Sequence, residues 1–113
     1  MDDCLFCRIV RRESPARLVK EDDLALAFRD TNPQAPTHIL IIPKAHIQSI
    51  DAARPEDEPV LGRLLLMAQV IAREEGIVGG YRLVFNNGRG AGQTVFHIHL
   101  HLLGGRPFRW PPG

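Results

Sequence analysis

The segment TVFHIHLHLLGG, residues 94–105, carries three of the five histidines of this chain at every second position. Successive side chains of a β-strand point to opposite faces, so histidines two residues apart would share one face at a spacing of about 7 Å. These residues are His97, His99 and His101. The intervening positions Ile98, Leu100 and Leu102 would form an apolar face, which a helix must cover.

Three imidazoles in register indicate a site more strongly than one does, because a single strand histidine is usually structural. Ionisable groups held side by side disfavour one another's charging, so at least one ring stays neutral at pH 7. A neutral, oriented imidazole is either a nucleophile or a metal ligand.

The remaining segments predict the elements around this strand. Apolar residues recur at helical spacing in CLFCRIVRR near the start and, more strongly, from Val60 through Leu64, Met67 and Ile71 towards Gly76. Strand patterns occupy a hairpin within residues 16–30, the apolar run 37–43, and residues 81–85. We therefore predict an α+β fold, an antiparallel sheet of about five strands with one long and one short helix.

The loop before the histidine strand, NNGRGAGQ, contains glycines that allow backbone N–H groups to turn inward and bind an anion such as phosphate. Asn86, Gln93 and Thr94 add side-chain donors beside the strand. Considered alone the loop is better interpreted as a flexible hairpin turn, since a GRGAG that precedes a strand is not a standard nucleotide fingerprint. The neighbouring histidines favour the phosphate interpretation.

Composition limits the partners and the location. The 113 residues predict one domain, 1–113, and 44% hydrophobic with 24% charged residues is typical of a soluble globular protein. The 14 basic and 13 acidic residues are scattered, so we expect no nucleic acid polymer as ligand. No apolar run approaches the roughly 20 residues of a membrane span, and MDDCLFC lacks an apolar signal core. We expect a cytoplasmic protein without a membrane partner.

The run His97-Ile-His-Leu-His-Leu-Leu103 resembles the signature of the histidine triad (HIT) superfamily, and the chain looks most like its HINT branch. Residues 30–44, DTNPQAPTHILIIPK, and residues 104–113, GGRPFRWPPG, are also similar to that branch. The resemblance therefore extends over nearly the whole chain. It implies a homodimer whose sheets join into one, and hydrolysis of purine nucleoside phosphoramidates and related AMP-type compounds.

By resemblance, His99 is the nucleophile that attacks the α-phosphorus and forms a nucleotidyl-histidine intermediate. His101 holds phosphate oxygens, and His38 orients His99 through its other ring nitrogen. Asp30 matches the residue that binds the ribose hydroxyls.

Other matched positions surround the phosphate and the leaving group: Asn86, Gly92 and Thr94. Thr94 departs from the serine usual in this branch; the hydroxyl is kept and a methyl is added. Residues 106–113 match a tail that reaches the partner subunit's site, so Trp110 is expected to shape the substrate pocket across the dimer.

Cys4 and Cys7 form a Cys-x-x-Cys pair, which can hold a metal, form a redox disulfide or pack as free thiols. A redox role is the weaker option, because no strand can precede Cys4. With the other histidines assigned, His46 and His97 complete two thiolates and two imidazoles, a closed structural zinc set that some superfamily members resemble. Other members lack the cysteines, so we expect zinc to be structural and not required for catalysis.

Three alternatives remain open. The same site could cleave dinucleoside polyphosphates, although the HINT-like tail argues against it. The three strand histidines could bind one zinc ion that activates water. Finally, the chain could be a nucleotide-binding or scaffolding module whose hydrolysis is incidental.

Overall fold

The structure is a computed structural model that describes residues 3–113, so the first two residues of the predicted 1–113 domain lie outside the described residues. The helices and strands are, in order, α1 (Leu5–Val10), β1 (Leu18–Glu21), β2 (Ala25–Arg29), β3 (Thr37–Pro43), α2 (Glu58–Glu74), β4 (Tyr81–Phe85) and β5 (Leu100–Gly104). The predicted short helix, hairpin, buried strand and long helix are all confirmed.

The five strands form one sheet in the order β1-β2-β3-β5-β4, and every neighbouring pair is antiparallel. All seven residues of β3 are buried, which is why that segment is apolar almost throughout. The predicted α+β fold with an antiparallel sheet is therefore confirmed, whereas an extension of the sheet across a dimer stays a prediction.

Alternation along the strands divides the core into two layers. Ile39 and Ile41 of β3 pack with α2, while Leu40 and Ile42 pack with α1 on the opposite face. His38 has the same parity as Leu40, so it points to the α1 side of the sheet. In this way the strand period directs the His38 side chain to the face of the sheet that α1 covers.

Helix α2 covers the other face with the residues that its periodicity predicts: Leu64, Met67 and Ile71 are buried. The helix stops because Gly76 adopts φ +73°, and the Ile77 N–H then donates to the Ala72 carbonyl at 3.0 Å. Within residues 3–113 no helix is both long enough and apolar enough to cross a bilayer.

The histidine run is not the uniform strand that we predicted, because β5 begins only at Leu100 and contains His101 alone of the three histidines. Its neighbour β3 ends at Pro43, whose nitrogen cannot donate and whose carbonyl accepts from Nε2 of His97 at 2.8 Å. Upstream of β5, the Ile98 N–H donates instead to the Ile47 carbonyl. The predicted apolar face of this run is confirmed: Ile98, Leu100 and Leu102 pack under α2.

Residues 105–113 contain no helix or strand, as their prolines predict. Arg82 of β4 holds this tail, since its guanidinium donates to the Arg109 carbonyl at 2.9 Å and lies 5.1 Å from the Phe108 ring centroid. The tail therefore follows the outer edge of the sheet.

The turn after β5 gives a stability prediction. Gly105 has φ +90°, and a Cβ there would lie 2.9 Å from Cβ of Pro36, whereas Gly76 has φ +73° and open space. We expect Gly105→Ala to lower the free energy of unfolding by about 2–3 kcal/mol, from left-handed strain plus overlap with a rigid ring. Gly76→Ala should cost only about 1 kcal/mol. Urea denaturation measures both free energies of unfolding, and equal decreases would contradict the expected overlap with the Pro36 ring.

Candidate active site and metal centre

The register of β3 against β5 brings two of the predicted catalytic histidines together. His38 is paired with Leu103 and His101 with Leu40, so the two histidines are diagonal neighbours on one face. Nε2 of His38 lies 2.9 Å from Nδ1 of His101 and 3.5 Å from Oδ2 of Asp30. The Asp30 N–H donates to the His38 carbonyl, which holds the carboxylate beside the two rings.

Hydrogen bonds assign the protons on these rings. The Gln34 N–H donates to Nδ1 of His38 at 3.0 Å, so the neutral His38 ring carries its proton on Nε2. That N–H donates to Nδ1 of His101, and the proton of His101 is therefore on Nε2. Nε2 of His101 is buried and has no hydrogen-bond partner among residues 3–113. A ligand or an ordered water would satisfy such a donor.

His99 has the opposite tautomer. Its Nδ1 lies 2.8 Å from the carbonyl oxygen of His97, which can only accept, so Nδ1 carries a proton and the lone pair of the neutral ring is on Nε2. The ring centroids of His99 and His101 are 5.0 Å apart. Our prediction that His38 orients His99 is wrong: His38 contacts His101, and the His97 carbonyl takes the orienting role.

A cavity of about 460 Å³ lies beside these rings, a size suited to a small molecule. Its polar lining consists of four of the predicted site residues together with Arg29 and Thr31; the four are Asp30, Thr94, His99 and His101. Apolar side chains of α1 and of the sheet form much of the remaining wall, chiefly Phe6, Ile9, Phe28 and Leu40.

The apolar residues of this cavity were not among the predicted site residues. Phe28 and Leu40 belong to the core layer opposite α2, the layer that also contains Phe6 and Ile9 of α1. The alternation of residues in β2 and β3 indicates that Phe28 and Leu40 share one face of the sheet. It does not indicate that a cavity lies between this apolar layer and the histidines. The Gln34 N–H and the His97 carbonyl were missed because they are backbone groups.

Two of the three glycine N–H groups of the predicted anion nest are used within the loop itself. The Gly88 N–H donates to Oε1 of Gln93, and the Gly92 N–H donates to the Arg89 carbonyl. Nε2 of Gln93 donates to the carbonyls of Gln48 and Val95, and the residue is 2% exposed. The prediction that Gln93 binds a ligand is therefore wrong, because its amide is used to close the loop.

Three further predicted binding residues do not line the cavity within this chain. Asn86 is half-buried, Gly92 is exposed, and Trp110 is 84% exposed in the tail. Their roles, including the contact of Trp110 with the partner subunit's site, stay predictions.

Burial favours the neutral form of both paired histidines. Burial, reinforced by His99 and His38, lowers the pKa of His101 to about 4. Burial also lowers the pKa of His38, although the Asp30 carboxylate opposes the shift. At neutral pH the tautomers assigned above to His38 and His101 are therefore the relevant forms.

The four predicted metal ligands also lie together, next to the active site. Sγ of Cys4 is 3.4 Å and Sγ of Cys7 is 3.6 Å from Nδ1 of His97, and Sγ of Cys7 is 3.3 Å from Nδ1 of His46. All four ligand atoms lie within 4.8 Å of one another. Tetrahedral zinc with bonds of about 2.3 Å to sulfur and 2.0–2.1 Å to nitrogen requires S···N separations of roughly 3.5 Å. The set therefore fits zinc.

His97 presents the correct nitrogen to this set. Its Nε2–H donates to the Pro43 carbonyl, so the lone pair of Nδ1 faces the two sulfur atoms, an arrangement usual for a metal-bound histidine. Burial lowers the pKa of His97 to about 4, which keeps the ring neutral. Since both nitrogens are used here, the alternative of one zinc ion shared by the three strand histidines is wrong.

A small α+β protein with paired histidines over a cavity and a Cys2His2 set matches known proteins closely. The family model described as the HIT domain matches residues 11–108. A HIT-like protein of Synechocystis, described as uncharacterized, is 59% identical over 112 residues, 99% of this chain and 98% of that protein. The chain belongs to the HIT family.

Two further similar proteins have names that refer to zinc binding and to hydrolysis. A maize protein named 14 kDa zinc-binding protein is 51% identical over 111 residues, which are 96% of this chain and 87% of that protein. The crystal structure of a HIT family hydrolase from Legionella pneumophila Philadelphia 1 superposes with a TM-score of 0.96 at 55% identity, covering 98% of this chain and 100% of that one. The chain thus resembles HIT family hydrolases in both fold and sequence.

The lowered pKa of His101 predicts how stability depends on pH. The unfolded chain takes up a proton near pH 6.5 and the folded His101 only near pH 4, so stability from this group is full above 6.5 and falls as the pH drops towards 4. The loss amounts to at most about 3 kcal/mol. Urea denaturation of wild type and His101→Gln from pH 7 to 4.5 measures it. Curves that stay parallel would contradict the assignment, since His38, His99 and Asp30 remain in both proteins.

Proposed function

We propose that this protein hydrolyses the P–N bond of purine nucleoside phosphoramidates and related adenylated compounds through a nucleotidyl-histidine intermediate on His99. The observation that carries the proposal is the pair of opposed tautomers beside one cavity. Nε2 of His99 has a lone pair, and Nε2 of His101 has an unpartnered N–H. A nucleophile beside a donor is the arrangement that attack on a phosphoryl group needs.

The cavity supports a nucleotide as substrate. A purine ring would pack among Phe6, Ile9 and Phe28, which are apolar and largely buried. The carboxylate of Asp30 would accept hydrogen bonds from the ribose hydroxyls. The phosphate would then lie near Thr94 and the two catalytic histidines.

The chemistry follows from the tautomers. Nε2 of His99 forms a bond to the α-phosphorus while the P–N bond of the substrate breaks, and the leaving amine takes up a proton from the solvent. The positive charge that develops on the His99 ring strengthens the Nδ1–H bond to the His97 carbonyl. The N–H of His101 stabilises the phosphoryl oxygens. Water then cleaves the His99–phosphorus bond, which releases the nucleoside monophosphate and restores the neutral ring.

Replacement of the nucleophile tests this proposal. We expect His99→Ala to reduce release of amine from an adenosine phosphoramidate by about 10³-fold or more. Affinity for AMP should change by less than about tenfold, because the other cavity residues are kept. Steady-state kinetics and calorimetry measure the two quantities, and the retained AMP affinity is the control for folding. Wild-type turnover in the variant would show that His99 is not the nucleophile.

A panel of AMP conjugates separates the other candidate functions. Faster cleavage of dinucleoside polyphosphates than of phosphoramidates would favour the polyphosphate hydrolase. Tight AMP binding with negligible turnover of every conjugate would favour a nucleotide-binding or scaffolding module.

We also infer that Cys4, Cys7, His46 and His97 hold a structural zinc ion. The S···N distances near 3.5 Å, the orientation of His97 Nδ1 and the similarity to the maize zinc-binding protein support this. Bound zinc would link α1 to the segments after β3 and before β5, and it would take no part in bond cleavage.

Metal analysis tests the zinc proposal. We expect about one zinc per chain in wild type and little in Cys4→Ser, because loss of one thiolate opens the tetrahedral set. Chelation should also lower the melting temperature of wild type but leave that of Cys4→Ser nearly unchanged. Equal zinc in both proteins would contradict the ligand assignment.

The HINT-like tail and the outer strand support a homodimer as the active form. Strand β4 lies at the edge of the sheet, and Leu66 of α2 and Leu83 of β4 are exposed at 60% and 37%. A second copy would cover such apolar groups. In that dimer residues 106–113, with Trp110, would contribute to the partner subunit's site.

A further inference from the structure

We propose that the cluster Cys4, Cys7, His46 and His97 is a positioning device for the nucleophile: metal bound there favours the tautomer and orientation of His99 that attack on phosphorus uses, without itself being required for bond cleavage. This inference rests on the proposed function of His99. It adds a role for His97 and Phe6, which are positioning residues and do not act on the substrate.

The first connection runs through one peptide group of His97. The side chain of His97 is fully buried, with Nδ1 facing the sulfur atoms and Nε2–H bonded to the Pro43 carbonyl. The backbone carbonyl of the same residue accepts the proton of His99 Nδ1 at 2.8 Å. Because β5 begins only at Leu100, no regular strand pairing fixes this carbonyl. Its position therefore depends on the His97 ring and on the Ile98 N–H bond to Ile47.

The second connection runs through α1. Phe6 lies between the two cysteines in sequence. Its ring packs edge to face against two histidine rings, with centroid distances of 5.8 Å to His97 and 5.1 Å to His99. Helix α1 has only six residues, too few to persist without external support. Packing of Phe6 and Ile9 on the sheet supplies part of that support. A metal bound through Cys4 and Cys7 would add to it and hold the Phe6 ring against the nucleophile.

Loss of the metal would weaken both connections at once. Without it, the four side chains would be held by S···N contacts of 3.3–3.6 Å, by the Cys7 N–H bond to Sγ of Cys4 and by the ring contact of His46 with His97. Hydrogen bonds to sulfur are weak. Once the His97 carbonyl shifts, the proton of His99 can move to Nε2, where it removes the lone pair that attacks phosphorus. The metal-free protein would then contain fewer competent molecules at any moment.

Ring nitrogen spectra of histidine test this directly. In ¹⁵N-histidine protein loaded with zinc we expect His99, identified by its absence in His99→Asn, to give the pattern of a single Nδ1–H tautomer. After zinc is removed by chelation, the pattern should become an average of the two tautomers. An unchanged His99 pattern, or a protein that cannot be loaded with zinc, would overturn the inference.

Variants of His46 separate the metal from local packing, because His46 ring contacts involve His97 and not His99. His46→Ala should lose zinc, average the His99 tautomers and lower the single-turnover rate several-fold more than it weakens AMP binding. His46→Cys keeps four ligands, so it should retain zinc and the wild-type His99 pattern. As a control for stability, Ile71→Val loosens the opposite core layer and should leave the His99 spectrum unchanged. An averaged pattern in that control would attribute the effect to general loosening and overturn the inference.

The tautomer measurement uses no substrate, so it is independent of the proposed activity. If phosphoramidates are not cleaved but zinc still determines the His99 pattern, the proposed function fails and the coupling remains. If cleavage is normal and the His99 ring-nitrogen spectrum does not depend on zinc, only the proposed positioning of His99 by the metal fails.

Discussion

The antiparallel pairing of β3 with β5 is the interaction on which the rest of the structure depends. It buries every residue of β3 and sets His38 diagonally beside His101 on the face that α1 partly covers. A slip of one residue would exchange the two faces, placing histidines under α2 and leucines in the cavity. The apolar residues that α2 covers therefore fix the register, and the register places the rings of His38 and His101 beside each other.

The point where this pairing stops is equally important. Pro43 cannot extend the ladder, so its carbonyl is free to accept from His97, and the backbone from His97 to His99 leaves the strand geometry. One short histidine run consequently serves two sites. His97 enters the Cys2His2 set, while His99 and His101 line the cavity.

Protons in the site are ordered by backbone groups. The Gln34 N–H starts a chain of hydrogen bonds through His38 to His101, and the His97 carbonyl ends a separate one at His99. Because burial keeps His38 and His101 neutral, each ring has one donor and one acceptor, and fixing one nitrogen fixes the other. His99 and His101, two identical side chains, are thus hydrogen-bonded through Nδ1 in opposite senses: Nδ1 of His99 donates a proton and Nδ1 of His101 accepts one.

The sequence by itself determined the elements that a local pattern encodes. Period-two and helical spacing located the strands and α2, and the resemblance of the histidine run to the HIT signature led us to predict one metal set and one catalytic set. Only the tertiary structure decided that His38 contacts His101, that Gln93 closes its own loop, and that Phe6 and Phe28 border the cavity. These features depend on strand register and on backbone donors and acceptors brought together across the chain. The order of side chains along the sequence does not specify which backbone groups and which strands come together.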